Sequence, residues 1–249
     1  MNSIPTRLNK EPLIEAIWQA QFEPRDGLPV GDLLPGILYS AFKVDYPNLQ
    51  LHRLPTADIP APVAQFDPNL RFSAKYRMEA PGSPFLFQVG DRIVTMNCRK
   101  PYSGWSAFKE RILKLVDIIE NSGLVPTPAR HSLRYIDLLS LDPAPSLKAL
   151  QINFQIGEWS LKERPIQMRV EIPDGDCNHV IQIATPAEAN LPEGKIQGSV
   201  IDVETFPNSL SGSWQDVRTQ IDQIHERSKA VFYQQLLTAD AIALMDPEY

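Results

Sequence analysis

The sequence predicts an α+β fold of two sequence-related halves, each an antiparallel sheet with an amphipathic helix packed on one face. The halves are residues 1–125 and 126–249 of the 249-residue chain. Three observations predict this. First, each half opens on a strand; Ile14, Ala16, Trp18, Ala20 and Phe22 alternate with polar residues, and His131 to Leu141 is the counterpart. Second, each half ends on a helical stripe led by a tryptophan. Trp105, Phe108, Ile112, Leu115 and Ile119 form the first, and Trp214, Val217, Ile221 and Ile224 the second, with the same three-then-four spacing. Third, Ser103-Gly104 and Gly212-Ser213 precede the two tryptophans as helix starts. Two such units can join in one continuous saddle-like sheet, which the sequence favours because each alone would leave sheet edges bare.

The elements follow in order. Pro24 and Gly27 end the first strand. A helix is predicted from about Pro29 to Val44 on Leu33, Leu34, Ile37, Leu38, Ala41 and Phe42, with Pro35 early enough to shift its start or kink it. Pro55, Pro60, Pro62 and Pro68 make 54–68 an exposed loop, neither interior strand nor helix. Arg71 to Glu79 reads as a strand, and Phe85 to Val89 pairs with Arg92 to Cys98 across a Gly90-Asp91 turn. After the Trp105 helix, Asn121-Ser122-Gly123 is a stop, and Pro126 and Pro128 stiffen the connector that divides the halves. The second half adds strands at Ile152 to Ile156, Ile166 to Ile172, Val180 to Ala184 and Val200 to Phe206. A helix from Trp214 to about Leu236 follows, with a further helical turn in the tail. Only Ser146 to Leu150 corresponds to the early helix of the first half.

Charge and composition narrow the function classes. A net charge of -6 and a pI near 5.3 speak against a broad phosphate-binding face, so nucleic acid is not the expected partner. No apolar run approaches the roughly 20 residues of a membrane span, and MNSIPTRLNKEP lacks a signal-peptide core. A cytoplasmic location without membrane attachment is therefore expected. Cys98 and Cys177 have no second Cys or His at metal-ligand spacing, which suits two thiols in a reducing compartment. There is no GxxxxGK[ST] loop, GxGxxG after a strand, GxSxG elbow or CxxC pair, so no cofactor is expected.

The densest polar cluster on a predicted strand is Ala129 to Asp137. Period-two geometry places His131, Tyr135 and Asp137 on one face and Arg134 on the other. An imidazole titrating near neutrality beside a carboxylate that fixes its tautomer is the chemistry of proton transfer. The plainer reading is a solvated sheet face with Tyr135 and Arg134 bracing the junction of the halves. Asp222, His225 and Glu226 share a helix face, yet a metal site needs about three or four ligands and no HExxH pattern occurs, so none is predicted. Glu15 is placed to meet Arg134 if the opening strands are related. Trp105 and Trp214, with Tyr102 nearby, read as core anchors rather than stacking platforms.

Leu8-Asn9, Pro12 to Ile17, Phe22, the Tyr102-Ser103-Gly104-Trp105 step, Leu133 to Asp137, and Asp222, His225, Phe232 and Leu236-Leu237-Thr238 resemble a family. It is a sporadically distributed bacterial family of uncharacterised proteins of this length. The resemblance covers nearly the whole chain; Asp137 departs from it where the family often has Asn. It implies a bacterial, cytosolic, stand-alone protein and carries over no catalytic residues. Sporadic distribution suggests travel with mobile or defence-related genes. The leading expectation is a non-enzymatic binding or adaptor protein with a protein partner, serving a bacterial defence or immunity system. Sheet edges left open also allow a homodimer. The alternatives are an enzyme acting on a nucleotide or nucleic acid through His131, Arg134, Tyr135, Asp137 and His225, and a small-ligand sensor reporting through Trp18, Tyr102 or Tyr135.

Overall fold

The structure is a computed structural model and describes residues 4–25, 27–67, 70–191, 194–209 and 212–249. In chain order the elements are β1 (Arg7–Leu8), β2 (Leu13–Gln21), α1 (Val30–Phe42), β3 (Gln50–Arg53), a 3-10 turn (Pro55–Asp58), α2 (Ala61–Phe66), β4 (Tyr76–Glu79), β5 (Phe85–Val89), β6 (Ile93–Arg99) and α3 (Trp105–Ser122). They continue with β7 (Arg130–Leu139), β8 (Gln155–Ile156), β9 (Trp159–Ser160), β10 (Ile166–Asp174), β11 (Cys177–Leu191), β12 (Gly194–Pro207), α4 (Trp214–Ala230), a π-helical turn (Val231–Leu236), α5 (Ala239–Leu244) and β13 (Pro247–Glu248). The class is mixed α+β with a large antiparallel sheet. The chain forms two compact units, each drawing on residues from both sides of position 125. Unit I is Met1–Glu15, Arg134–Asn208 and Asp222–Tyr249, and unit II is Ala16–Leu133 and Ser209–Ile221.

In unit II the strand order is β7-β2-β6-β5-β4-β3. Ala16, Trp18, Ala20 and Phe22 are buried, as their alternation requires. The β5–β6 hairpin forms with Val89 opposite Val94, and the Gly90 N–H donates to the Ile93 carbonyl at 2.8 Å. The turn is thus Asp91-Arg92, one residue later than the sequence suggests. Gly90 flanks it because an added Cβ would lie 2.1 Å from the Ser73 carbonyl oxygen. Phe42 of α1 stacks on Phe87 at 3.9 Å between ring centroids. Helix α1 runs through Pro35, which removes one donor from its second turn without ending it. Helix α3 buries Phe108, Ile112, Leu115 and Ile119, and stops at Gly123 in the left-handed region at φ +68°. Trp214 is buried and its indole N–H donates to the Val125 carbonyl at 3.1 Å, while Ser213 Oγ accepts the Asp216 N–H at 3.1 Å as the α4 cap.

The prolines of 54–68 do not prevent helix formation there. Pro55 starts the 3-10 turn and Pro62 stands at the second position of α2, where the missing N–H has no intrahelical acceptor. Pro68 lies outside the described residues. The strand predicted from Arg71 shortens to β4, because 70–73 form a turn in which Ser73 N–H donates to the Leu70 carbonyl at 3.0 Å.

In unit I the order is β10-β11-β12-β7-β2. The Leu138 N–H donates to the Pro12 carbonyl at 2.9 Å in unit I, and the Ala129 N–H to the Gln21 carbonyl at 2.7 Å in unit II, so β7 and β2 run antiparallel. The two predicted strands at 180–184 and 200–206 are the middle of a much longer hairpin, paired from Cys177 and Pro207 to Leu191 and Gly194 with a bulge between Ala184 and Ala187. Its outer part, Ala187-Glu188-Ala189-Asn190, has poor strand propensity and is held by its partner strand. Of the strand expected at 152–156 only β8 forms, paired with β9. Ser146 to Leu150 is not helical; Leu150 instead makes a bridge with Leu237. Ile181, Ile183, Ile201, Val203 and Leu139 build the core of this unit with Val231, Leu236, Leu237 and Ile242. The opposite sheet face is polar and partly open. Gln167, Arg169 and Glu171 are exposed there, and Gln182, Ala184, Val200, Glu204 and Arg134 half-buried.

Candidate functional site

Strand β7 carries four of the five residues singled out from the sequence, and its alternation sends them to two different environments. On the even face Arg134 forms a two-pronged ion pair with Asp202 of β12. Nε donates to Oδ1 at 2.8 Å and Nη2 donates to Oδ2. Gln182 of β11 adds Nε2 to Oδ2 at 3.3 Å. Asp202 is buried and Arg134 half-buried; the bond to Asp202 holds the guanidinium pKa above its usual value, with Glu204 and Glu15 adding to it.

The odd face is packed rather than solvated. In unit II His131 is fully buried, with Nε2 3.1 Å from Gln220 Oε1. Gln220 donates its amide to the Ser209 carbonyl at 3.1 Å, which fixes its oxygen as the acceptor for His131. Nε2 therefore carries a proton, and burial pushes the imidazole pKa down, which favours its neutral Nε2–H form. Its Nδ1 has no hydrogen-bond partner among the described residues.

In unit I the Tyr135 hydroxyl lies 2.8 Å from His225 Nδ1, with ring centroids 6.0 Å apart. Burial, helped by Lys229 and opposed by Asp222, pushes the His225 pKa down to about 4. The ring is then neutral at pH 7 and Tyr135 donates to it. His225 Nε2 stands 3.9 Å from Glu226 Oε1, beyond hydrogen-bond reach. Asp137 is buried, and the charges reaching it are Glu11 and Asp202, both negative, so burial and repulsion hold its carboxyl well above the usual range. Burial also raises the Tyr233 phenol, with Asp137 and Glu11 adding to the rise.

The contacts of these residues each lie within one unit. Tyr135 and His225 meet, Arg134 serves Asp202 on the other face, and His131 is tied to Gln220. Trp18, offered as a sensor, is fully buried in the core of unit II. A small cavity in unit I is lined by Leu139, Leu141, Asp142, Ala149, Leu150 and Ser199, and by none of the β7 candidates. Among the described residues no group of three or more His, Cys, Asp or Glu side chains is placed to hold a metal ion. No helix among them is long and apolar enough to cross a membrane.

Asp202, Gln182, Gln220 and Tyr233 matter to these sites and carry no motif. Asp202 was the most accessible from sequence, as an acid inside the apolar run Ile201 to Val203. Its partner depends on which strands are neighbours.

The histidine gives a prediction in acid. Its folded pKa lies below the ordinary value of about 6.5, so its stabilising neutral form is complete above that pH and lost as pH falls toward about 4. Urea midpoints measured from pH 7 to pH 4 should fall, and His225→Gln should remove on the order of 1–2 kcal/mol of that loss. An unchanged pH slope in the variant would mean that His225 is not the titrating group.

No protein-family model matches the chain, and no curated protein matches its sequence.

Proposed function

We propose that this chain is a non-enzymatic binding protein that docks another protein on the polar sheet face of unit I. One observation supports the reading above the rest. The titratable side chains that could have formed a catalytic group are engaged separately, Arg134 by Asp202, His131 by Gln220 and Tyr135 with His225, and Arg134 faces away from the others along β7. What remains accessible is a mixed-charge surface carrying Arg169, Glu171, Gln182, Glu204 and Arg134. Mixed charge with a net acidic chain suits a protein partner better than a polyanion. The resemblance to a sporadically distributed bacterial family supports a cytoplasmic adaptor or immunity component. The internal duplication belongs to the same proposal, with α3 and α4 as equivalent Trp-led helices and the halves joined in a saddle-like sheet.

Purification from the native host, with mass spectrometry of whatever co-elutes, tests this. A stoichiometric protein is expected, and Val200→Lys, which puts a charge in the middle of the face, should abolish its capture. A nucleotide, nucleic acid or metal in its place, or retention of the partner by the variant, would refute the reading.

A further inference from the structure

Strand β10 ends the strand order of unit I, and among the described residues no strand pairs with its outer edge. The β10–β11 hairpin closes on Asp174 and Cys177 around the two-residue turn Gly175-Asp176, with Gly175 at φ +57°. The closing pair of such a hairpin exchanges both backbone bonds, so even-numbered residues of β10 turn their N–H and C=O groups toward β11. Gln167, Arg169, Glu171 and Pro173 turn theirs outward. Pro173 agrees with this, since its missing N–H then removes no bond to β11. The side chains alternate too. Ile166, Met168 and Val170 pack against the core, Ile172 extends their row yet remains 43% exposed, and Arg169 and Glu171 are exposed on the polar face.

We propose that this edge is a homodimer interface, pairing antiparallel with the same edge of a second copy about a two-fold axis through Val170. In that register Arg169 stands opposite Glu171 of the second copy and Glu171 opposite its Arg169. Both are outward-bonding positions, so each of these pairs exchanges two backbone hydrogen bonds. Side chains directly opposite in an antiparallel pair lie on the same face. The apolar row therefore continues across the join, with Val170 against Val170 and Met168 covering the exposed Ile172. Moving the axis one residue either way sets Arg169 on Arg169 or Glu171 on Glu171, which like-charge repulsion disfavours. Charged residues on an edge ordinarily discourage pairing; here they select one register and one partner, a second copy of this chain. The backbone bonds of this interface lie along the edge of β10, and its Arg169 and Glu171 side chains are shared with the docking face proposed above; the dimer is tested on the chain alone, so its failure is distinct from failure to capture a protein partner.

Sedimentation velocity on the full chain over a concentration series decides it, with circular dichroism melts confirming that each variant folds. The wild-type chain should dimerise. Arg169→Glu or Glu171→Arg alone should weaken the dimer at least about tenfold, because each places like charges at two symmetric positions. The double exchange, Arg169→Glu with Glu171→Arg, should restore it. A wild-type monomer at every concentration, a single variant that dimerises as tightly as wild type, or a double exchange that stays monomeric would each overturn the proposal.

Discussion

Replacing Arg134 with alanine should destabilise the protein by about 2–4 kcal/mol, read as a fall in the urea midpoint at pH 7. Among the described residues the change leaves the buried Asp202 carboxylate the Gln182 amide at 3.3 Å as its side-chain hydrogen bond. The effect sits below that of a fully enclosed pair because 35% of the Arg134 side chain reaches solvent. Arg134→Lys should recover less than half of the loss, since an ammonium cannot reproduce the two parallel bonds to Oδ1 and Oδ2. Combining Arg134→Ala with Asp202→Asn should harm less than the sum of the two changes, with a coupling of about 1–3 kcal/mol. A loss under about 0.5 kcal/mol for Arg134→Ala, the range of ordinary surface changes, would show that the pair is ornamental.

Asp137→Asn should stabilise the protein, by roughly 2–3 kcal/mol at pH 8, and do nothing or slightly harm it at pH 4 or below. The folded carboxyl titrates above its unfolded value because it is buried near Glu11 and Asp202. The folded state therefore binds its proton more tightly. The associated stability is present below the unfolded pKa and drains away as pH rises through the folded one. An amide of the same shape has no charge to bury, so its advantage appears only on the alkaline side. Urea midpoints of the two proteins from pH 4 to pH 8 should diverge; parallel curves would mean that Asp137 finds a compensating partner. The substitution also asks whether the acid serves binding at the expense of stability. If it does, the stabilised variant should capture its partner less well.

The sequence was readable wherever a single element decides the outcome. The apolar stripes of α3 and α4, the alternation of β2 and the stop at Gly123 all depend on local periodicity or one backbone preference, and each is present, although Trp105 is half-buried where Trp214 is a buried anchor. The separation of Arg134 from His131, Tyr135 and Asp137 was also visible, because a strand places alternate side chains on opposite faces whatever it packs against. Reading 54–68 as a loop failed for a local reason as well. Proline excludes a helix interior but suits a first turn, and the segment is made of first turns.

What the sequence by itself determined is therefore the mixed α+β class with antiparallel strands, the long helices, the strands β2 and β7 and the face each β7 side chain occupies. Tertiary structure alone decided the partners: Asp202 for Arg134, Gln220 for His131, His225 for Tyr135 and the acidic surroundings of Asp137. Tertiary structure also extended the β11–β12 hairpin through residues with little strand preference and reduced the predicted 152–156 strand to two residues. The physical reason is the same throughout. Hydrogen bonds, burial and charge compensation between residues as far apart as Arg134 and Asp202 depend on strand order and register, and those are settled by packing the whole sheet rather than by any window of sequence.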